Sequence, residues 1–223
     1  MKSKMIEIEA PGGPETLRVV ERAVCDPGPN QILVRVEAAG VNRPDVVQRQ
    51  GNYAPPPSVT DIPGLEIAGE VVAVGPGVDR WQAGHHVCAL LAGGGYAEYA
   101  IADADLCLPI PHGLTATEAA SLPETVFTIW ANIFEQARFR AGDSVLIHGG
   151  TSGIGVMAIQ MIHALGGGAY ATAGSPEKVA ACEAVGAVRG IDYRNEDFVT
   201  VIREMTAKRG IDIILDIGGG ATI

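Results

Sequence analysis

Ser144-Val-Leu-Ile-His148-Gly-Gly-Thr-Ser-Gly153-Ile-Gly155-Val-Met-Ala158 decides the fold, because an apolar run of strand length enters a glycine turn that opens a helix. Gly153, Gly155 and Ala158 fit G-x-G-x-x-A. In that pattern the first glycine allows the tight turn, the second lets backbone approach a phosphate, and the small third residue lets helix pack on strand. The first N–H groups of such a helix have no intrahelical acceptor and point at an anion. Three small residues at this spacing recur by chance in a chain with 29 glycines, so the flanks carry the argument. Ser144 to His148 reads as a buried parallel strand, and Gly155 to Leu165 places Val156, Ile159, Ile162 and His163 or Ala164 at near-helical spacing. The turn reads as a dinucleotide pyrophosphate site, with Gly150, Thr151, Ser152, Gly153, Ile154 and Gly155 around the anion.

From Pro123 onward helices and strands alternate. Pro123 to Gln136 is expected to be a helix, followed by strands at Ser144 to His148, Ala169 to Ala173, Arg189 to Asp192 and Ile211 to Ile217. Helices are expected at Pro176 to Val185, opened by a capping Ser175 with proline next, and at Glu196 to Lys208. This is a doubly wound α/β pattern. At roughly 30 residues per βαβ unit, the stretch from Ser144 to Ile223 holds about four strands of the usual six. The last strand is almost wholly apolar and would form an uncovered edge, so the chain is expected to stop inside its second domain.

Upstream the pattern differs. Met5 to Ile8 and Leu17 to Ala23 read as a hairpin across Pro11-Gly-Gly-Pro14, and Gln31 to Ala38, Ile67 to Val74, His85 to Leu91 and Tyr96 to Ile101 as further short strands. Many short strands at close spacing imply a barrel or sandwich-like β domain. The expected division is a β-rich domain over residues 1–122 and an incomplete dinucleotide-binding domain over 123–223.

Composition excludes other classes. With 16 Lys plus Arg against 26 Asp plus Glu and a formal net charge of −10, the chain lacks the basic footprint of a nucleic-acid binder. No apolar run reaches membrane-span length, and Met1 to Ala10 mixes charge with apolar residues where a secretory signal would be continuous, so a cytoplasmic protein is expected. Cys25, Cys88, Cys107 and Cys182 are scattered without a C-x-x-C pair and read as free thiols.

Several stretches together resemble the zinc-free quinone oxidoreductase branch of the medium-chain dehydrogenase/reductase superfamily. They are Ala39-Gly-Val-Asn42-Arg-Pro-Asp45, Pro63-Gly-Leu-Glu66-Ile-Ala-Gly69, Leu122-Pro-Glu-Thr-Val-Phe-Thr128, Val145 to Gly155, and Ile211-Asp-Ile-Ile-Leu-Asp216-Ile-Gly-Gly219. The resemblance implies a GroES-like β domain followed by a Rossmann-type doubly wound sheet, in relatives that continue for about another hundred residues. Zinc-dependent members carry a cysteine and a histidine where this chain has Asn42 and Leu65, and neither replaces a thiolate or an imidazole as a zinc ligand. No metal is expected. The adjacent His85 and His86 point to opposite faces of a strand and read as structural.

An NAD-preferring site places Asp or Glu at the end of its second strand to bind ribose hydroxyls, whereas this chain has Thr172-Ala-Gly174-Ser175. The expected cofactor is therefore NADPH, its 2′-phosphate met by Ser175, Lys178, Tyr193 and Arg194 beside Gly174. The resemblance supports this at Lys178 and Tyr193. It also implies that Thr128 contacts the nicotinamide end, that Asn42 contacts nicotinamide or substrate, and that Tyr53 orients the acceptor. Asp45 and Glu66 are expected to serve local hydrogen bonding. The implied reaction is metal-free hydride transfer to a quinone or other small electrophile; reduction of an activated alkene and silent NADPH binding are the alternatives. Homo-oligomerisation is expected of the complete protein.

Overall fold

The computed structural model describes residues 2–218, which form two compact units that divide between Glu124 and Thr125. In the first, β1 (Lys2–Ile8) and β2 (Leu17–Ala23) pair antiparallel, Ile8 opposite Leu17 and Lys2 opposite Ala23. A five-stranded antiparallel sheet follows from β3 (Gln31–Ala39), β4 (Glu66–Val74), β5 (His86–Leu90), β6 (Tyr99–Asp103) and β7 (Cys107–Pro109), in the order β6-β3-β4-β5-β7. Ile32, Val34, Ile67, Val71, Val87 and Ala89 are fully buried within one apolar cluster. Each large aliphatic side chain buried this way contributes about 1.5–3 kcal/mol, so the central strands hold the unit together.

Two elements of this unit escape a pattern reading. Helix α1 (Arg43–Arg49) begins at Arg43, and Pro44, its second residue, replaces an N–H that has no acceptor anyway. Asp45 accepts the Asn42 backbone N–H at 2.7 Å and fixes the entry. Strand β7 is only three residues long, below the length at which alternation is visible. The expected strand at Tyr96 to Ile101 lies instead at Tyr99–Asp103, because Ala97 forms an isolated bridge to Met5 and the ladder with β3 begins at Tyr99. Helix α2 (Ala116–Ala119) carries a Thr115/Glu118 capping box.

Helix α3 (Pro123–Ile129) begins with the last two residues of the first unit; the second unit goes on through β8 (Ser144–His148), α4 (Gly153–Ala164), β9 (Gly168–Ala173), α5 (Pro176–Ala184), β10 (Arg189–Asp192), α6 (Phe198–Met205) and β11 (Ile213–Leu215). Its sheet is parallel, in the order β10-β9-β8-β11, the first half of a Rossmann sheet. All five residues of β8 are buried. Val145 and Ile147 belong to the cluster holding Ala158, Ile159 and Ile162, whereas Leu146 packs with Ile191 and Ile202. Apolar groups on both faces explain why β8 reads as an unbroken apolar run. Strand β11 pairs with β8 on one side and is terminal in the described sheet, its Ile214 exposed.

Three expectations here are corrected. The helix over Pro123 to Gln136 is α-helical only to Ile129, and Trp130–Gln136 is a π-helix, with Ala137 N–H donating to Asn132 O at 3.0 Å. The wider turn is not marked by glycine or proline, so periodicity cannot show it. The helix expected over Glu196 to Lys208 is shorter, because Asp197 caps it by accepting the Thr200 N–H at 3.1 Å and Ala207 and Lys208 turn left-handed. The last strand shrinks to Ile213–Leu215, where Asp212 turns back to accept the Ser144 N–H at 2.8 Å. Gly219 of the last matched segment lies outside the described residues.

Candidate active site

The glycine turn occupies the carboxyl end of β8, where the strand order reverses between β8 and β11. Open α/β sheets bind ligands at such a switch point. Gly149 takes φ +77°, a conformation glycine adopts without strain, and so makes the tight turn assigned above to Gly153. Gly153 itself has an ordinary φ, and a Cβ there would meet only Thr125 Cγ2 at 3.7 Å. The close approach belongs to Gly155: its Cβ would lie 2.8 Å from Gly150 Cα and carbonyl carbon and closer still to the Gly149 oxygen. Ala158 is fully buried, as helix-on-strand packing requires.

Ser152 caps α4. Its Oγ accepts the Gly155 N–H at 2.9 Å and donates to Gly149 O at 2.8 Å, while Gly150 N–H donates to Thr172 O at 2.9 Å. The N–H groups of Thr151, Gly153 and Ile154 have no acceptor among the described residues. A cradle with three free donors at a helix N-terminus fits a pyrophosphate.

Beside it lies a cavity of about 680 Å³ lined by His148, Gly149, Thr172, Tyr193, Phe198 and Ile217, among others. His148 is 3 % exposed; its Nδ1 lies 3.1 Å from Thr172 Oγ1, its ring meets Phe198 edge to face, and its Nε2 has no partner among the described residues. Burial pushes its pKa below the ordinary histidine value, so the ring is neutral at neutral pH. The sequence marks His148 only as the end of a strand; the unpaired nitrogen is visible only in three dimensions.

The second strand ends at Ala173, and Ser175 caps α5, accepting the Lys178 N–H at 3.4 Å. Tyr193 is exposed and passes over Gly174, where a Cβ would fall 2.7 Å from its hydroxyl. Gly174, Ser175 and Tyr193 are thus brought together. Lys178 and Arg194 are exposed, and their side-chain cations pair with no acid among the described residues. Thr128 is half-buried in α3, its carbonyl accepting the Asn132 side-chain N–H at 2.8 Å.

In the first unit Asn42 and Tyr53 flank α1, the former just before its first turn and the latter four residues beyond its last residue. Tyr53 is exposed and makes no hydrogen bond among the described residues. Asn42 is half-buried, and its Nδ2 donates to Glu66 Oε1 at 2.8 Å. Glu66, 2 % exposed, also accepts the Glu124 backbone N–H on Oε2 at 2.9 Å. Burial pushes the Glu66 carboxyl up, and these two donors oppose the shift. Asp45, 5 % exposed, accepts from Asn42 N, Gly64 N at 3.1 Å and Tyr96 Oη at 2.9 Å. Burial also raises Tyr96 and Glu124, with the neighbouring carboxylates adding to it. Asp45 and Glu66 therefore serve local hydrogen bonding.

The cysteines are free; Cys25 is exposed and the other three are buried. One group among the described residues has metal-ligand spacing, Glu37, Glu70 and His86, but Arg35 already pairs with both carboxylates. No helix among them is long and apolar enough to cross a membrane.

Two family models match the chain: Alcohol dehydrogenase GroES-like domain over residues 28–112 and Zinc-binding dehydrogenase over residues 153–223. The chain is 37 % identical over 218 residues to the phthioceranic/hydroxyphthioceranic acid synthase of Mycobacterium tuberculosis H37Rv, covering 97 % of itself and 10 % of that protein. It is 33 % identical over 207 residues to the quinone oxidoreductase of Rattus norvegicus, covering 92 % of itself and 63 % of the relative. Among solved structures, the quinone oxidoreductase of Pseudomonas syringae superposes with TM-score 0.83 at 32 % identity, over 99 % of this chain and 68 % of that one. The CurK enoyl reductase gives TM-score 0.88 at 28 % identity, with coverage of 99 % and 68 %. Escherichia coli quinone oxidoreductase complexed with NADPH gives 0.80 at 29 %, with coverage of 99 % and 67 %. The chain thus spans a tenth of the synthase and about two thirds of the others.

Proposed function

The chain belongs to the quinone oxidoreductase-like branch of the medium-chain dehydrogenase/reductase superfamily, and on that footing we propose that it is an NADPH-dependent reductase of quinones. The observation that carries the reading is the turn at the end of β8, with three N–H groups unpaired among the described residues and a Gly155 that leaves no room for a side chain. Such a cradle holds a pyrophosphate by charge-assisted hydrogen bonds from backbone alone.

The neighbouring cavity fits a purine: Phe198 and Ile217 give apolar walls, and the lining His148 has an Nε2 unpaired among the described residues. β9 ends at Ala173 without a carboxylate of its own, and the Ser175 hydroxyl is held by the Glu177 carboxylate of α5, which a 2′-phosphate would have to displace. The Ser175 hydroxyl, the Tyr193 phenol above Gly174, and the Lys178 and Arg194 cations supply donors and positive charge for it. Thr128 is assigned to the nicotinamide end. NADPH supplies a hydride when bound. The protein's task is to orient the acceptor, exclude water and favour the charge that develops on its oxygen. Asn42 is assigned the acceptor contact through its amide, and Tyr53 orients or covers the acceptor with a phenol that is free to donate. A proton from that phenol or from water completes the reduced product.

The high structural similarity to an enoyl reductase supports a second reading, delivery of hydride to an activated alkene. Following NADPH oxidation against a panel of quinones, enones and enoyl thioesters tests both. The first reading expects quinones to be reduced with the highest kcat/KM; preference for enoyl thioesters transfers the assignment, and tight NADPH binding without oxidation by any acceptor reduces it to a binding protein.

A further inference from the structure

Asn42 is the side-chain amide assigned to the acceptor contact, and what that amide presents depends on which way round it sits. We propose that Glu66 is a positioning residue that fixes the polarity of the Asn42 amide, so that Asn42 meets the acceptor as a hydrogen-bond donor. The inference rests on the assignment of Asn42 to the acceptor contact.

Three features of the chain converge on it. Glu66 is the first residue of β4, 2 % exposed, and both of its oxygens take N–H donors: Oε1 from Asn42 Nδ2 at 2.8 Å, Oε2 from Glu124 N at 2.9 Å. A carboxylate in that role only accepts, so the amide edge turned toward it is the NH₂ edge; the flipped amide would set two oxygens against each other in a buried place. Gly40 makes room for the arrangement. A Cβ there would lie 2.6 Å from Glu66 Cγ and closer to Oε1, and Gly40 N–H donates to the Glu66 carbonyl at 3.2 Å. The backbone of Asn42 is held as well, its N–H on Asp45 Oδ2 at 2.7 Å.

With one amide hydrogen on Glu66, Asn42 keeps a second N–H on the same nitrogen. A nitrogen held by a buried carboxylate offers that remaining hydrogen in a fixed direction, without reorganisation at the moment a carbonyl oxygen gains charge. A glutamine at position 66 breaks the device: it has one acceptor oxygen for two donors, and its own NH₂ group invites Asn42 to flip.

The test is a double-mutant cycle in the full chain, Glu66→Gln and Asn42→Ala, read as kcat/KM for a quinone at saturating NADPH. Alone, E66Q is expected to lower kcat/KM about tenfold, the equivalent of about 1.4 kcal/mol, with KM for NADPH unchanged. In the N42A background the same change is expected to cost less than about twofold, because Glu66 acts through Asn42. Gly40→Ala, which displaces the Glu66 side chain without altering its charge, is expected to reproduce the E66Q loss. An equal E66Q penalty in both backgrounds overturns the inference while leaving the acceptor assignment standing; an N42A variant as active as the parent overturns the assignment and the inference with it. Side-chain amide NMR gives a readout independent of turnover. The Asn42 amide protons are expected to move toward free-amide positions in E66Q, and resonances that do not respond refute the contact.

Discussion

Replacing Gly155 by alanine perturbs the dinucleotide cradle at its tightest point. The added Cβ would sit 2.8 Å from Gly150 Cα and carbonyl carbon, and closer to the Gly149 carbonyl oxygen, so backbone rather than a pliable side chain must move. Overpacking of this kind costs about 1–3 kcal/mol. The Gly155 N–H also satisfies the cap on Ser152, worth about 1 kcal/mol, while alanine in a helix regains up to about 1 kcal/mol. The net expectation is a loss of about 1–3 kcal/mol, which for a chain of this size lowers Tm by roughly 2–12 °C. The same displacement shifts the N–H groups of Thr151, Gly153 and Ile154. Since a hydrogen bond to a charged group is worth about 1.5–3 kcal/mol, NADPH should bind at least about tenfold more weakly. Gly153→Ala is the control: with ordinary φ and its nearest neighbour at 3.7 Å, it should leave Tm unchanged or raise it by up to about 4 °C. Differential scanning calorimetry and NADPH titration of both variants read the outcome. A G155A protein that melts and binds like the parent, or a G153A protein more damaged than G155A, would refute the reasoning.

Three further expectations follow from the same geometry. Lys178→Gln and Tyr193→Phe should each weaken NADPH about tenfold or less, leaving NADH affinity unchanged; equal losses for both cofactors would remove these residues from a 2′-phosphate site. Because burial lowers the folded-state pKa of His148, folding favours the neutral ring: that contribution is complete above the ordinary histidine pKa and is lost as pH falls through the folded-state value. Stability should decline with acidification from neutral pH, and the decline should be shallower in His148→Asn; identical pH profiles would contradict the assignment. Tyr53→Phe keeps the ring and removes the phenol, so kcat with quinones should fall while NADPH affinity holds; unchanged turnover would exclude Tyr53 from proton delivery.

What was legible in the sequence is what repeats locally. Strand β8 was found to the residue because apolar side chains are needed on both of its faces, and β10 because it is short and bounded by turns. Helix α5 began where Ser175 and Pro176 said it would. The parts that were not legible depend on distant partners or on backbone that no residue type marks. The π-helix at Trp130–Gln136 has no breaker, α1 was hidden behind Pro44, and the turn glycine was Gly149 rather than Gly153. The grouping of Tyr193 with Gly174 and Ser175 needs β9 and β10 side by side. The unpaired Nε2 of His148 and the hold of Glu66 on Asn42, 24 positions away, are properties of the folded chain alone.

Cofactor binding tests the glycine turn and its 2′-phosphate pocket most directly. Isothermal titration of the chain with NADPH and with NADH, at one ionic strength, should give a clear preference for NADPH, as the proposed 2′-phosphate site of Ser175, Lys178, Tyr193 and Arg194, beyond a second strand without a terminal carboxylate, requires. Equal affinities or a preference for NADH would contradict the 2′-phosphate site, and binding of neither would contradict the reading of the glycine turn itself.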